Sequence, residues 1–173
     1  MKLEEVKHIG FERLHTQVGD SVIAIKGLYA LRKLYPKAKI TAFVSQTAYQ
    51  LYKTLNIVDE FIIMSKDEAK EGRLQQELTK RNLDVLLLLH RTSSLIKIAK
   101  LAKIKCVITE LHMHNLFSPH FKSPMMMVSY FVHGSEKILR LVRQINTNHY
   151  DANIKNINFA GGGGKNKALF AKY

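Results

Sequence analysis

The chain has 173 residues, enough to bury one ordinary core, and its 46% hydrophobic and 24% charged residues exclude an intrinsically disordered chain. A formal net charge of +13 calls for an anionic partner: nucleic acid, an acidic membrane face or an anionic glycolipid. Trp is absent and no basic-aromatic interleaving of the kind that stacks bases is present, so nucleic acid is not the expected partner.

From the N-terminus, Glu4 and Glu5 stand where a secretory signal would carry its apolar stretch, which argues for a cytoplasmic protein. Val6 to Leu14 is the expected first strand, although Lys7, His8, Gly10, Glu12 and Arg13 are poor material for a buried central strand. Asp20 to Tyr35 carries Val22, Ile25, Leu28 and Leu31 at a spacing of three, with Lys26, Arg32 and Lys33 between them. Pro36 closes this amphipathic helix, and Asp20 is placed to cap it. Lys39 to Val44 reads as a strand, Thr47 to Leu55 as a short helix and Val58 to Met64 as the next strand. Asp67 to Arg81, acidic at its start and basic at its end, reads as one solvent-facing helix.

Val85 to Leu89 is apolar at every position, which suits a strand covered on both faces. At five residues it is also far short of the roughly 20 that span a bilayer. Ser93 to Lys103 is a helix with Lys97, Lys100 and Lys103 on one solvated stripe, and Lys105 to Thr109 is another strand. The lone Cys106 has no intrachain partner and belongs to that apolar strand. Strands alternating with helices in this way predict an α/β fold with a doubly wound, mainly parallel sheet. The alternation is expected to stop at Glu110 to Pro124, a long loop, before a helix over Met125 to Asn146.

In an open α/β sheet the ligand crevice lies beyond the carboxyl ends of the strands. The first strand-to-helix loop reads His15-Thr16-Gln17-Val18-Gly19-Asp20. One glycine followed by an acid is not a dinucleotide fingerprint, because a carboxylate at the helix end repels phosphate. The helix dipole favours an ionised Asp20, and an ionised acid in a crevice accepts a proton from a substrate hydroxyl. Spacing alone leaves both roles open for Asp20, helix cap and base.

This loop and the helix after it resemble the start of the lipopolysaccharide heptosyltransferases, glycosyltransferase family nine. Members carry a loop like Ser-Ser-x-Gly-Asp and a helix of the form Ala-Leu-x-x-Leu-Arg-x-x-Tyr/Phe-Pro. This chain has Thr16-Gln17-Val18-Gly19-Asp20 and then Ala30-Leu31-Arg32-Lys33-Leu34-Tyr35-Pro36. Asn56-Ile57-Val58-Asp59-Glu60-Phe61-Ile62 is similar to the family's entry into its third strand, Asp84 to Leu89 to its fourth, and His133-x-x-Glu136 to the helix near the end of its first domain. Together these cover residues 13 to 146. The resemblance implies a Rossmann-like domain corresponding to the N-terminal half of a GT-B enzyme. Asp20 is then the base of an inverting transfer, and Thr16, Gln17 and Gly19 line the acceptor side. Thr16 keeps a hydroxyl where the family commonly has serine, while Gln17 departs from the second serine.

Arg91, with His90 beside it, stands just past the fourth strand and is a candidate to grip an acceptor phosphate or carboxylate. His120 and Lys122 are further candidates for an anionic acceptor. His112, His114 and His120 lack the flanking acids or cysteines of a metal site, so no metal is expected, and no cofactor is implied. Met125, Met126 and Met127 read as packing.

The expected organisation is a domain over 1–150 and a flexible Gly-rich tail over 151–173 containing Gly161 to Gly164. Four glycines are also what a guanine tract encodes, and slippage there would end the chain early. Read that way, the chain is a truncated form without the donor domain, inactive alone.

The resulting expectation is an enzyme that transfers heptose or another sugar from a nucleotide-sugar to the lipopolysaccharide core. It would act in the cytoplasm, with peripheral contact at the inner membrane. Its rivals are a noncatalytic basic α/β module binding an anionic partner such as nucleic acid, and a small-molecule enzyme with a nucleotide in the first crevice.

Overall fold

The computed structural model describes residues 6–90, 92–110, 121–123, 134–157 and 159. Within them β1 (His8–Arg13), β2 (Lys39–Val44), β3 (Glu60–Ile63), β4 (Val85–Leu88), β5 (Val107–Thr109) and β6 (Phe121–Lys122) form one sheet. The strand order is β3-β2-β1-β4-β5-β6, and every neighbouring pair is parallel. The helices are α1 (Val18–Leu34), α2 (Gln46–Tyr52), α3 (Lys66–Lys70), α4 (Arg73–Lys80), α5 (Ser93–Leu101), α6 (Gly134–Arg143) and α7 (Thr147–Asn153), and a 3₁₀ turn follows at Ile154–Asn156.

Successive side chains of a strand point to opposite faces, and a doubly wound sheet buries both. Val85 and Leu87 join Ile9, Phe11, Ile40 and Ala42 under residues of α1, α6 and α7. Leu86 and Leu88 join Phe43, Leu74, Leu78 and Leu95 under α3, α4 and α5. That division explains why β4 is apolar at every position.

β1 takes the central place that its composition seemed to forbid, and each awkward residue answers a local demand. His8 Nε2 pairs with Thr41 Oγ1 at 2.8 Å across to β2. Gly10 lies so close to Leu83 and Leu86 that a Cβ would sit 2.7 and 2.8 Å from their side-chain carbons, which only glycine avoids. Glu12 and Arg13 end the strand at the carboxyl edge of the sheet.

Three expectations change. The helix expected over Asp67 to Arg81 is two, α3 and α4, separated at Gly72, whose φ of 105° needs glycine. Ser65 and Glu68 close a capping box at the start of α3, a signal outside the expected span. Asp20 is not a cap: Gln17 occupies that position and Asp20 lies within the first turn. The segment expected as a loop contributes β6, which adds one more parallel strand to the sheet beside β5.

The helix expected over Met125 to Asn146 is described as α6, and Met125, Met126, Met127 and His133 lie outside the described residues. α7 runs across the expected boundary between residues 150 and 151, and Ile154, Ile157 and Phe159 pack against the core. Gly161 to Gly164 also lie outside the described residues.

Candidate active site

The strand order reverses direction between β1 and β4: the chain proceeds from β1 toward β2, and from β4 toward β5. Loops leaving such a pair diverge and open a crevice at the carboxyl ends. Here one loop is residues 14–17 and the other opens at Leu89 and His90.

Glu12, completely buried, ties them together. Its carboxylate accepts the backbone N–H of Leu14 at 2.8 Å and of His90 at 3.1 Å. Burial pushes its carboxyl above the ordinary value, and the backbone hydrogen bonds pull the other way. Arg13 is only 6% exposed, and its Nη2 lies 2.9 Å from Asp20 Oδ2. The Asp20 side chain is 49% exposed, facing the crevice mouth from the first turn of α1.

The loop between them is well anchored. The N–H of Ser45 donates to the Arg13 carbonyl at 3.1 Å and the Ser45 hydroxyl to that of His15 at 3.0 Å. The Ser21 hydroxyl donates to the Gln17 carbonyl at 3.0 Å, and buried Tyr52 donates to the Ser21 carbonyl at 2.8 Å.

The rings of His15 and His90 stack across the crevice with centroids 4.5 Å apart. Burial holds the His90 imidazole down to about 4, and the cationic surroundings, Lys66 first, act in the same direction. His15 is lowered by burial and then by Lys66 and Arg13. Two neutral imidazoles stack without charge repulsion. Next to them a cleft of about 130 Å³ is lined by Leu14, Lys66, Lys70, His90, Thr92 and Ser94. Thr92 caps α5 by accepting the N–H of Leu95 at 3.3 Å. The crevice is therefore a cationic, hydroxyl-bearing surface around one carboxylate. A larger groove, about 590 Å³, lies at the other end of α1 beside Tyr29, Lys33 and His149, away from the strand ends where α/β sites form.

Of the residues expected at the site, the structure brings Thr16, Gln17, Gly19 and Asp20 to one exposed mouth. A Cβ on Gly19 would meet nothing within 4 Å, so no packing within the chain demands glycine there. Lys122 ends β6, with β4 and β5 between it and β1, and its ammonium donates to the Gln144 carbonyl at 3.4 Å. Arg91 and His120 lie outside the described residues, as do His112 and His114. Among the described residues, no group of three His, Cys, Asp or Glu side chains is placed to hold a metal ion.

Sequence reasoning overlooked Glu12, Arg13, His15, Lys66 and Thr92. The signal for the first two was present, since charged residues at the end of an otherwise buried strand mark a site as readily as they argue against the strand.

No protein-family model and no curated protein sequence matches the chain. Solved structures do. A glycosyl transferase of family 9 from Veillonella parvula superposes with a TM-score of 0.66 at 20% identity, covering 81% of this chain and 42% of that one. The E. coli heptosyltransferase WaaC solved with ADP gives 0.60 at 13% identity, covering 80% and 46%. The same enzyme solved with ADP-2-deoxy-2-fluoro heptose gives 0.59 at 12% identity, covering 88% and 56%. The chain thus spans about half the length of these proteins. Over that span it has the Rossmann-like fold of the GT-B glycosyltransferases, with family nine enzymes among its structural neighbours.

Proposed function

We propose that the protein is a family nine glycosyltransferase of which this chain forms the acceptor side, moving heptose or another sugar from a nucleotide-sugar to the lipopolysaccharide core. The observation that carries this reading is a half-exposed carboxylate, Asp20, held by a buried arginine at the switch point of this fold. The neighbours solved with ADP and with an ADP-sugar analogue support the donor class.

In the reaction, Asp20 takes the proton of an acceptor hydroxyl as that oxygen attacks the anomeric carbon. A carbon–oxygen bond forms, the bond from the sugar to the nucleoside diphosphate breaks, and the configuration inverts. The diphosphate leaves with the bonding electron pair. In a two-domain transferase the donor nucleotide sits on the other Rossmann-like domain, which leaves the loops of this chain to the acceptor. Thr16, Gln17 and the open space over Gly19 then lie along the acceptor, and the Lys66 cleft meets its anionic groups; Arg91, His120 and Lys122 stay candidates for the same task on the strength of the sequence alone. The +13 charge fits an acceptor carrying phosphates and carboxylates, presented at the cytoplasmic face of the inner membrane. Among the described residues no helix is long and apolar enough to cross that membrane.

The test is a titration of the purified protein with heptose-free lipopolysaccharide core and, separately, with duplex DNA over a range of salt. Saturable glycolipid binding by the chain is the expected result, with sugar transfer only when a donor domain is supplied, and that transfer is expected to fall about 10²- to 10⁴-fold in Asp20→Asn. Tight DNA binding without glycolipid binding replaces this reading by the noncatalytic basic module.

A further inference from the structure

Arg13 is expensive where it stands. Its side chain is more than nine-tenths buried at the end of the central strand, and Nε and Nη2 have no hydrogen-bond partner of normal geometry. Nη2 comes within 2.9 Å of Asp20 Oδ2, close enough for an ion pair but off the line of a straight hydrogen bond. Burying an incompletely satisfied guanidinium costs free energy that an apolar side chain of similar volume would not. A core built only for stability would carry methionine or leucine at the end of β1.

What the arginine contributes instead is a fixed point. β1 is hydrogen-bonded on both sides, to β2 and β4, and the Arg13 carbonyl accepts the N–H of Ser45. The guanidinium thus projects from the most rigid part of the sheet. Asp20 is half exposed and caps nothing, so without a partner its carboxylate would sample several rotamers. With Oδ2 held by Arg13, Oδ1 has no hydrogen-bond partner among the described residues and remains available to an acceptor hydroxyl.

We propose that Arg13 is a positioning residue that sets the rotamer of the Asp20 carboxylate for proton abstraction. This rests on the reading of Asp20 as the base. Glu12 supports the arrangement from the other side of the crevice by pinning the loops at Leu14 and His90, which keeps the end of β1 and the mouth in one register.

The test uses the chain joined to a family nine donor domain, with an ADP-activated heptose as donor and heptose-free lipopolysaccharide core as acceptor. Arg13→Met is expected to lower kcat about 10²-fold, the cost of a misplaced reacting group, with the acceptor KM unchanged. Arg13→Lys, which keeps a cation on the same strand, is expected to recover part of the loss. In an Asp20→Ala background, Arg13→Met is expected to cost nothing more, because the group it positions is gone. A purely structural role would lower activity in both backgrounds and lower the melting temperature with it. If Arg13→Met does not fold, Arg13→Gln is judged by the same criteria.

Undiminished kcat in Arg13→Met, losses that multiply in the double variant, or a rise in KM at constant kcat each overturn the proposal. If Asp20→Ala is dead while Arg13→Met is fully active, only the positioning role falls. Should Asp20→Ala itself keep its kcat, the function reading falls and the positioning role with it.

Discussion

Asp20 supports no cap and sits half in solvent, so Asp20→Asn is expected to fold, with some stability lost because buried Arg13 loses its counter-charge, while transfer drops about 10²- to 10⁴-fold, the usual worth of a positioned base. A variant that loses stability but keeps transfer would return Asp20 to a structural role. The histidine stack gives a pH signature. The folded-state value of His90, about 4, lies below the ordinary 6.5, so on acidification the unfolded chain takes up its proton first. The stability associated with neutral His90 is complete above pH 6.5 and is lost as the pH falls toward 4. Glu60, held at about 2 chiefly by Arg81 and Lys39, keeps its contribution above pH 4.5 and loses it only as the pH falls toward 2. His8 and His15 are lowered in the same direction as His90, while buried Glu12, raised, works in the opposite sense above pH 4.5. Melting temperature is therefore expected to fall between pH 6.5 and 4. His90→Asn should make that fall shallower, leaving the share of His8 and His15, and leave the lower window intact, which a pH series of thermal melts would show.

At the scale of elements, two glycines of α1 make opposite predictions. A Cβ on Gly27 would clash with Ile138 Cγ2, because α1 and α6 pack closely at that point. Gly27→Ala is expected to destabilise by about 1–3 kcal/mol through overpacking, and Ile138→Ala should recover part of this by vacating the space; strict additivity in denaturant titrations would count against the contact. Gly19 faces open space, so Gly19→Ala is expected to fold at least as well, the helix gaining up to about 1 kcal/mol. Any transfer defect in that variant then reports a ligand approaching the helix end rather than damage to the fold.

Over the whole molecule, the net charge of +13 acts through its field. The crevice adds to this bias locally, with Lys66 and Arg13 beside neutral imidazoles. Binding of the anionic glycolipid is expected to weaken steadily with ionic strength, since exposed charges are screened beyond a Debye length of about 10 Å at 0.1 M salt. Affinity independent of salt between low and physiological ionic strength would show that the charge plays no part in acceptor capture.

Much of the architecture was legible because it rests on local patterns. The all-apolar run at Val85 to Leu88 suited a strand buried on both faces, and the spacing of Ile25, Leu28 and Leu31 an amphipathic helix, and β4 and α1 are these elements. Gly72 and β6 were missed for local reasons: a single positive φ inside a polar helical pattern, and a strand of two residues, leave little periodic signal. At the site, the sequence by itself determined that an acid follows a glycine at the first helix end. Only the tertiary structure decided what surrounds it, because Arg13, seven positions earlier, and His90, seventy positions later, become its neighbours through parallel strand pairing. Glu12 and Arg13 looked like flaws in a strand for the same reason: their partners lie on other loops, and burial of a charge makes physical sense only once those partners are in place.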